Sequence, residues 1–166
     1  DTDRSRGLGD VYKRQMNIGE KLPEILGTNT KGETMRSSDF AGRPLIVYFY
    51  PKDNTPGCTA EACSFRDGYQ QLTDMGYTVI GISKDSPASH LKFIAKYDLN
   101  FILLSDESTE VLQEFGVWQK KKMAGREYMG IVRTTFITDA DHVVTHIISK
   151  VDTKQAVAQL LSVIGR

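Results

Sequence analysis

Cysteine is scarce in this chain: there are two among 166 residues, and both fall in one stretch, YFYPKDNTPGCTAEACSFRD, residues 48–67. In a reducing cytosol such a pair points to catalysis, redox chemistry or metal binding rather than to a structural bridge. Histidine is scarce too, and His90, His142 and His146 are all distant in sequence from the cysteines, so no recognisable metal-ligand spacing emerges. Net charge is absent, with 21 basic against 21 acidic residues, which argues against nucleic acid and anionic lipid as partners. Long apolar runs are also missing. The strongest, Leu45 to Tyr50, is far too short to span a bilayer, and the first fifteen residues are charged rather than apolar, so no secretory signal is apparent. A cytoplasmic protein that acts on neither membrane nor nucleic acid is the expectation.

What is present suits one globular domain with a sizeable core, since 40% of the residues are hydrophobic and 25% charged. Residues 1–15 are polar and without apolar periodicity, and they read as a disordered tail or as sequence foreign to the domain, leaving residues 16–166 as the domain. Leu45 to Tyr50 fits a buried central strand. Behind it, Cys58, Ala62, Phe65, Tyr69 and Leu72 recur at helical spacing, with Thr55 as cap and Pro56 as first residue. A strand at residues 77–82 follows, then a helix from Ser86-Pro87 carrying Leu91, Ile94 and Ala95, a strand in FILLSDE, and a short helix stopped by Gly116. VRTTFIT and HVVTHIIS flank Asp139-Ala140-Asp141 as a hairpin, and a capped helix from Asp152 closes the chain. The segment from Gly116 to Met129 reads as an exposed excursion, with its lysine run as solvated surface. The order is that of an α/β fold, a mixed central sheet flanked by helices in three layers.

A thiol attacks only as thiolate, and the first turn of a helix, where Cys58 falls, offers unpaired N–H groups and a partial positive charge of roughly half a unit. Cys63 lies five residues on. In an intact helix that spacing sets the Cα atoms roughly 8 to 9 Å apart, beyond the reach of about 7 Å for a disulfide. Bonding between them requires the first turns to unwind, which suits a cysteine that reacts while folded and closes a bridge afterwards. It suits a static bridge, or a Cys-x-x-Cys exchanger, poorly.

The stretch from Pro51 to Cys63 closely resembles the peroxiredoxin motif Pro-x-x-x-Thr-x-x-Cys, and specifically that of the peroxiredoxin Q or bacterioferritin comigratory protein subfamily. GISKDSPASHLKFIAKYDLNFILLSDE, FGVW and MAGREYMGIVRTTFITD resemble the same subfamily, so the likeness covers roughly residues 17–165. It implies a thioredoxin-like fold and a monomeric, thiol-dependent peroxidase acting on hydrogen peroxide and organic hydroperoxides without metal, haem or flavin. It also implies recycling by thioredoxin or a similar dithiol.

By that resemblance Cys58 is the peroxidatic cysteine and Cys63 the resolving one. Thr55 bonds to peroxide and thiolate, Pro51 shields the thiolate, and Arg133 reaches the cysteine, with Arg66 and Arg126 as weaker candidates. Gly57 gives the peroxide an unobstructed backbone N–H, Glu61 helps to organise the pocket, and Trp118 packs near it. Asn54 and His142 depart from the family pattern, and His142 alters the hairpin turn. A thioredoxin-class disulfide exchanger and a redox sensor remain as alternatives.

Overall fold

The computed structural model describes residues 15–165. The tail expected over residues 1–15 therefore lies, but for its last residue, outside the described residues. The elements run β1 (Ile25–Thr28), β2 (Thr34–Arg36), a 3₁₀ turn (Ser37–Phe40), β3 (Leu45–Phe49), α1 (Pro56–Asp74), β4 (Thr78–Ser83), α2 (Pro87–Tyr97), β5 (Ile102–Ser105) and α3 (Glu110–Phe115). They continue through β6 (Trp118–Met123), β7 (Arg126–Ile131), β8 (Thr134–Thr138), β9 (Val144–Ile148), a 3₁₀ turn (Thr153–Gln155) and α4 (Ala156–Ile164). Among the described residues no helix is long and apolar enough to cross a membrane.

One mixed sheet of seven strands, ordered β2-β1-β5-β4-β3-β8-β9, carries the fold. β3, β4 and β5 are parallel and are joined by α1 and α2, whereas β8 returns antiparallel beside β3. Period-two alternation in β3 divides the core. Leu45, Val47 and Phe49 face the layer holding α3 and the first 3₁₀ turn, while Ile46, Tyr48 and Tyr50 face α1, α2 and α4. The apolar stripe of α1 is as expected: Cys58, Ala62, Phe65 and Leu72 are buried, with Tyr69 packed at the margin. Full burial of a side chain such as Phe65 stabilises the fold by about 1.5–3 kcal/mol.

Several expectations need correction. The buried face of α2 is His90 and Phe93; Leu91 and Ala95 are exposed, and Ile94 is only partly covered. No side-chain hydrogen bond caps the helix at Thr55 or the 3₁₀ turn at Asp152, and α4 itself begins after Gln155. The presumed excursion before the hairpin is itself an antiparallel ribbon, β6 with β7, exposed along much of its length. β1 and β2 give little sequence signal, being three or four residues long and half exposed. His142 does sit in the hairpin turn with φ of 66°, and its Nε2 lies 2.9 Å from the Phe40 carbonyl and 3.1 Å from that of Arg43. The ring thus ties the turn to the segment leading into β3.

Gly81 lies opposite Tyr48 in the β3–β4 ladder, and a Cβ there would stand 2.9 Å from both the Tyr48 ring and Leu103 Cδ2. The ring cannot move aside, because it stacks on Phe65 at 4.5 Å. Gly81→Ala is expected to lower the unfolding free energy by about 1–3 kcal/mol, measured by urea denaturation followed by circular dichroism.

Candidate active site

At the end of β3 the chain leaves the ladder through Pro51, a residue that cannot donate to it, and turns over residues 51–55 into α1. A polar brace fixes this turn. Asp53 is buried and accepts from Tyr50 Oη at 2.6 Å and Ser89 Oγ at 2.8 Å, and its Oδ2 lies 2.7 Å from His90 Nδ1. His90 is fully buried and its Nε2 reaches the Leu104 carbonyl at 2.9 Å, while the Asp53 N–H donates to Asp85 Oδ2 at 2.8 Å. Burial pushes the Asp53 carboxyl up, but hydrogen bonds from His90 and Tyr50 outweigh it and hold the group below its ordinary range. Ligand atoms of Asp53, Asp85 and His90 lie within 4.8 Å of one another, a spacing a cation can use. They are already occupied with one another and with Ser83 and Ser89, and they form a brace rather than an open coordination site. Asn54 takes the left-handed conformation, φ 61°, which asparagine tolerates, and its Oδ1 accepts from Tyr97 Oη at 3.0 Å.

Thr55 occupies the cap position in extended conformation, but its hydroxyl donates to the Lys52 carbonyl at 2.9 Å instead of accepting from the helix. Its oxygen lone pairs remain for another donor. The first intrahelical bond runs from Thr59 N–H to the Thr55 carbonyl at 2.8 Å. The N–H groups of Gly57 and Cys58, ahead of that bond, have no acceptor within the helix. Cys58 is 1% exposed and Cys63 half-buried; both are free thiols in an intact α1.

Arg133, between β7 and β8, forks across this turn. Its Nη2 donates to Cys58 Sγ at 3.4 Å and its Nη1 to Glu61 Oε1 at 2.7 Å. Glu61 is completely buried, and its second oxygen has no hydrogen-bond partner among the described residues. Burial therefore pushes its carboxyl up to about 7, with Arg133 acting in the opposite direction. Tyr48, also fully buried, is raised by that burial and further by the negative charges of Glu61 and Cys58. Glycine at position 57 leaves the guanidinium room: a Cβ would stand 3.2 Å from Arg133 Nη2, tighter than an ordinary contact.

Of the residues singled out from the sequence, the structure brings together Cys58, Gly57, Glu61 and Arg133. Pro51 and Thr55 stand in the turn just before them. Cys63 lies further along α1. Trp118 packs against the core cluster on the other face of the sheet, with Ile131, two residues before Arg133, as its cross-strand neighbour. Arg66 is taken up by Asp67 at 2.9 Å and the Tyr97 carbonyl at 2.7 Å, and Arg126 is exposed beside the tip of the ribbon. Two features of the site carry no local signal in the sequence. The Asp53–His90 brace has no local signature, because its members lie 37 residues apart. Lys121, in a lysine run whose charge suits solvated surface, is partly buried and donates from Nζ to the Ile131 carbonyl at 2.7 Å.

Residues 18–147 match the AhpC/TSA family model. Peroxiredoxin Bcp of Bacillus subtilis is 43% identical over 144 residues, covering 87% of this chain and 92% of the relative. A putative peroxiredoxin bcp of Coxiella burnetii is 44% identical over 149 residues, covering 90% and 97%. Among solved structures, the Xanthomonas campestris bacterioferritin comigratory protein, studied for alkyl peroxide reduction, superposes with a TM-score of 0.80 at 30% identity, covering 90% of this chain and 98% of that one.

The half-paired Glu61 carboxyl yields a test. Folded, it keeps its proton up to about pH 7; the unfolded chain releases it near 4.5. Its contribution to stability is thus present below the lower value and lost as pH rises through the upper one. The unfolding free energy of the unsubstituted chain minus that of Glu61→Gln is expected to fall by about 3 kcal/mol between about pH 4 and about pH 8. Urea titrations of both proteins across that range measure it.

Proposed function

The chain belongs to the AhpC/TSA family and is a peroxiredoxin of the Bcp and Q type, and from that premise we propose how its residues carry out thiol-dependent peroxide reduction. The Cys58 thiolate attacks the terminal oxygen of a hydroperoxide. The S–O bond forms as the O–O bond breaks, sulfur is oxidised to a sulfenic acid, and the leaving oxygen takes up a proton to depart as water or an alcohol. The observation that carries this assignment is the Arg133 guanidinium at 3.4 Å from the Cys58 sulfur. A fixed cation there favours the thiolate and the negative charge that develops along the breaking O–O bond.

The surrounding residues have complementary roles. Thr55, with free lone pairs on its hydroxyl, accepts from the peroxide O–H. N–H groups of Gly57 and Cys58 donate to peroxide oxygen, and Pro51 shields the sulfur from bulk water. Glu61 holds Arg133 in place from the buried side, leaving its other nitrogen for sulfur and substrate. Cys63 then attacks the Cys58 sulfenic acid, expelling water and forming an intramolecular disulfide. Because α1 is intact between them, its first turns unwind for that step. An external dithiol reduces the disulfide, and thioredoxin is the reductant we assign. The protein works in the cytoplasm as a monomer and needs no metal or organic cofactor.

Intact mass after one equivalent of hydrogen peroxide tests the two cysteines. The unsubstituted protein is expected to lose two hydrogens, Cys63→Ser to gain one trappable oxygen, and Cys58→Ser to show neither change. Peroxide consumption retained by Cys58→Ser would overturn the assignment. Arg133→Met is expected to slow the oxidation of Cys58 by about 10²-fold or more, the loss typical of removing one oriented donor from a charge-stabilising site; stopped-flow mixing with hydrogen peroxide measures it.

A further inference from the structure

The three consecutive lysines of β6 are not equivalent. Lys120 and Lys122 are exposed, whereas Lys121 is partly buried. In the β6–β7 register Lys121 stands opposite Tyr128, and Gln119 opposite Gly130, which puts these four residues on one face of the ribbon. Trp118, Lys120 and Lys122 belong to the other face, with Ile131, Met129 and Glu127 opposite them. The Lys121 stem crosses Gly130 so closely that a Cβ there would stand 2.9 Å from its Cδ. Its ammonium ends on the Ile131 carbonyl at 2.7 Å. Ile131 is the last residue of β7, and two residues later, before β8 begins, comes Arg133.

We propose that Lys121 is a positioning residue of the peroxide site: by clamping the Ile131 carbonyl it fixes the short link that delivers the Arg133 guanidinium to the Cys58 sulfur. The inference rests on the peroxidase assignment above and extends it to a residue beyond the motif. The link between β7 and β8 is only Val132 and Arg133. Val132 N–H is held by the Val117 carbonyl at 2.8 Å and its own carbonyl by Thr134 Oγ1 at 2.9 Å. Lys121 adds the tether on the upstream side, at the end of the ribbon.

The placement works against the lysine's own interest. Burial, and then the like charge of Arg133, hold its ammonium below the ordinary lysine range, while the negative charge of Cys58 acts the other way. Two cations directed toward one thiol suit a site that favours a thiolate. The charged and titratable groups around the pair are Arg133, Glu61, Tyr48 and Lys121 about Cys58, with Tyr128 and Arg126 further along the same ribbon face. Lys121 thereby contributes to the site twice, as a mechanical tether and as a second positive charge.

The test uses the full chain in a Cys63→Ser background, so that Cys58 is the one thiol, and reads the rate of bromobimane alkylation against pH. Adding Lys121→Met is expected to move the profile to higher pH and to slow oxidation by hydrogen peroxide at neutral pH by about 3–10-fold, the scale of one nearby charge in a partly solvated site. Lys121→Arg, which keeps both charge and donor, is expected to restore most of each. Gly130→Ala, which pushes the lysine stem aside without removing its charge, is expected to shift the profile in the same direction by less. An alkylation profile unmoved in Lys121→Met, with the parent's circular dichroism and unfolding midpoint, overturns the proposal. Should that variant not fold, an unmoved profile in Gly130→Ala does so. Alkylation needs no peroxide, so a parent protein inert to hydrogen peroxide would instead count against the peroxidase assignment.

Discussion

Arg133 holds Cys58 and Glu61 with two different nitrogens, and the geometry of the site follows from that fork. A single guanidinium cannot neutralise two negative groups, so its division between them decides how much positive charge the sulfur receives. The buried carboxylate fixes the orientation of the fork and draws off part of its charge. Leaving one Glu61 oxygen unpaired limits that loss, because the carboxyl is easily protonated near neutral pH. Planarity matters here: an ammonium could not present two donors in fixed directions to two partners.

The fold supplies this fork with few parts. β8 runs antiparallel beside β3, so the residue just before β8 arrives where β3 hands over to the active-site turn. Thr134, adjacent to Arg133, pairs with Phe49 at the end of β3. Neighbouring strands in a sheet lie about 4.8 Å apart, so two segments 75 residues apart in sequence meet without any long excursion. The residues that determine the chemistry thus come from a helix start and a strand start, both anchored on the most deeply buried part of the sheet.

Much of this arrangement was legible in the sequence where it is local. The β3 run, the stripe from Cys58 to Leu72, the Gly116 stop and the turn at residues 139–141 depend on neighbours a few positions away, and their patterns survive folding. Membership of the peroxiredoxins was legible as well, because the motif, the later SDE and FGVW segments and RTTFITD occur together. Non-local facts were not. The buried face of α2 includes His90, a polar residue whose burial is offset by partners on β5 and in the active-site turn, so an apolar count chose Leu91 and Ala95 instead. The ribbon of WQKKKM and REYMGI hid behind its charges, since strands exposed for much of their length do not alternate apolar with polar. With the ribbon unread, neither the direction of Trp118 nor the separate fate of Lys121 was visible. At Thr55 the position of the cap was legible, but the hydroxyl found a closer acceptor in the Lys52 carbonyl.

The polar brace beneath the active-site turn has a kinetic consequence. Asp53, His90, Asp85 and Tyr50 hold that turn through bonds to α2, to the link that follows β4 and, by way of His90, to β5, none of which belongs to the ladder of α1. In the proposed cycle, where the first turns of α1 open so that the two sulfurs meet, these bonds keep the chain on their N-terminal side docked. After reduction the helix therefore extends from an anchored end on one side and a preserved helix on the other, with no new nucleus to form. Helix elongation takes on the order of nanoseconds per residue, far faster than thiol–disulfide exchange. In that proposed cycle, recovery of the peroxide-ready form is timed by the arrival of the reductant rather than by re-forming the helix.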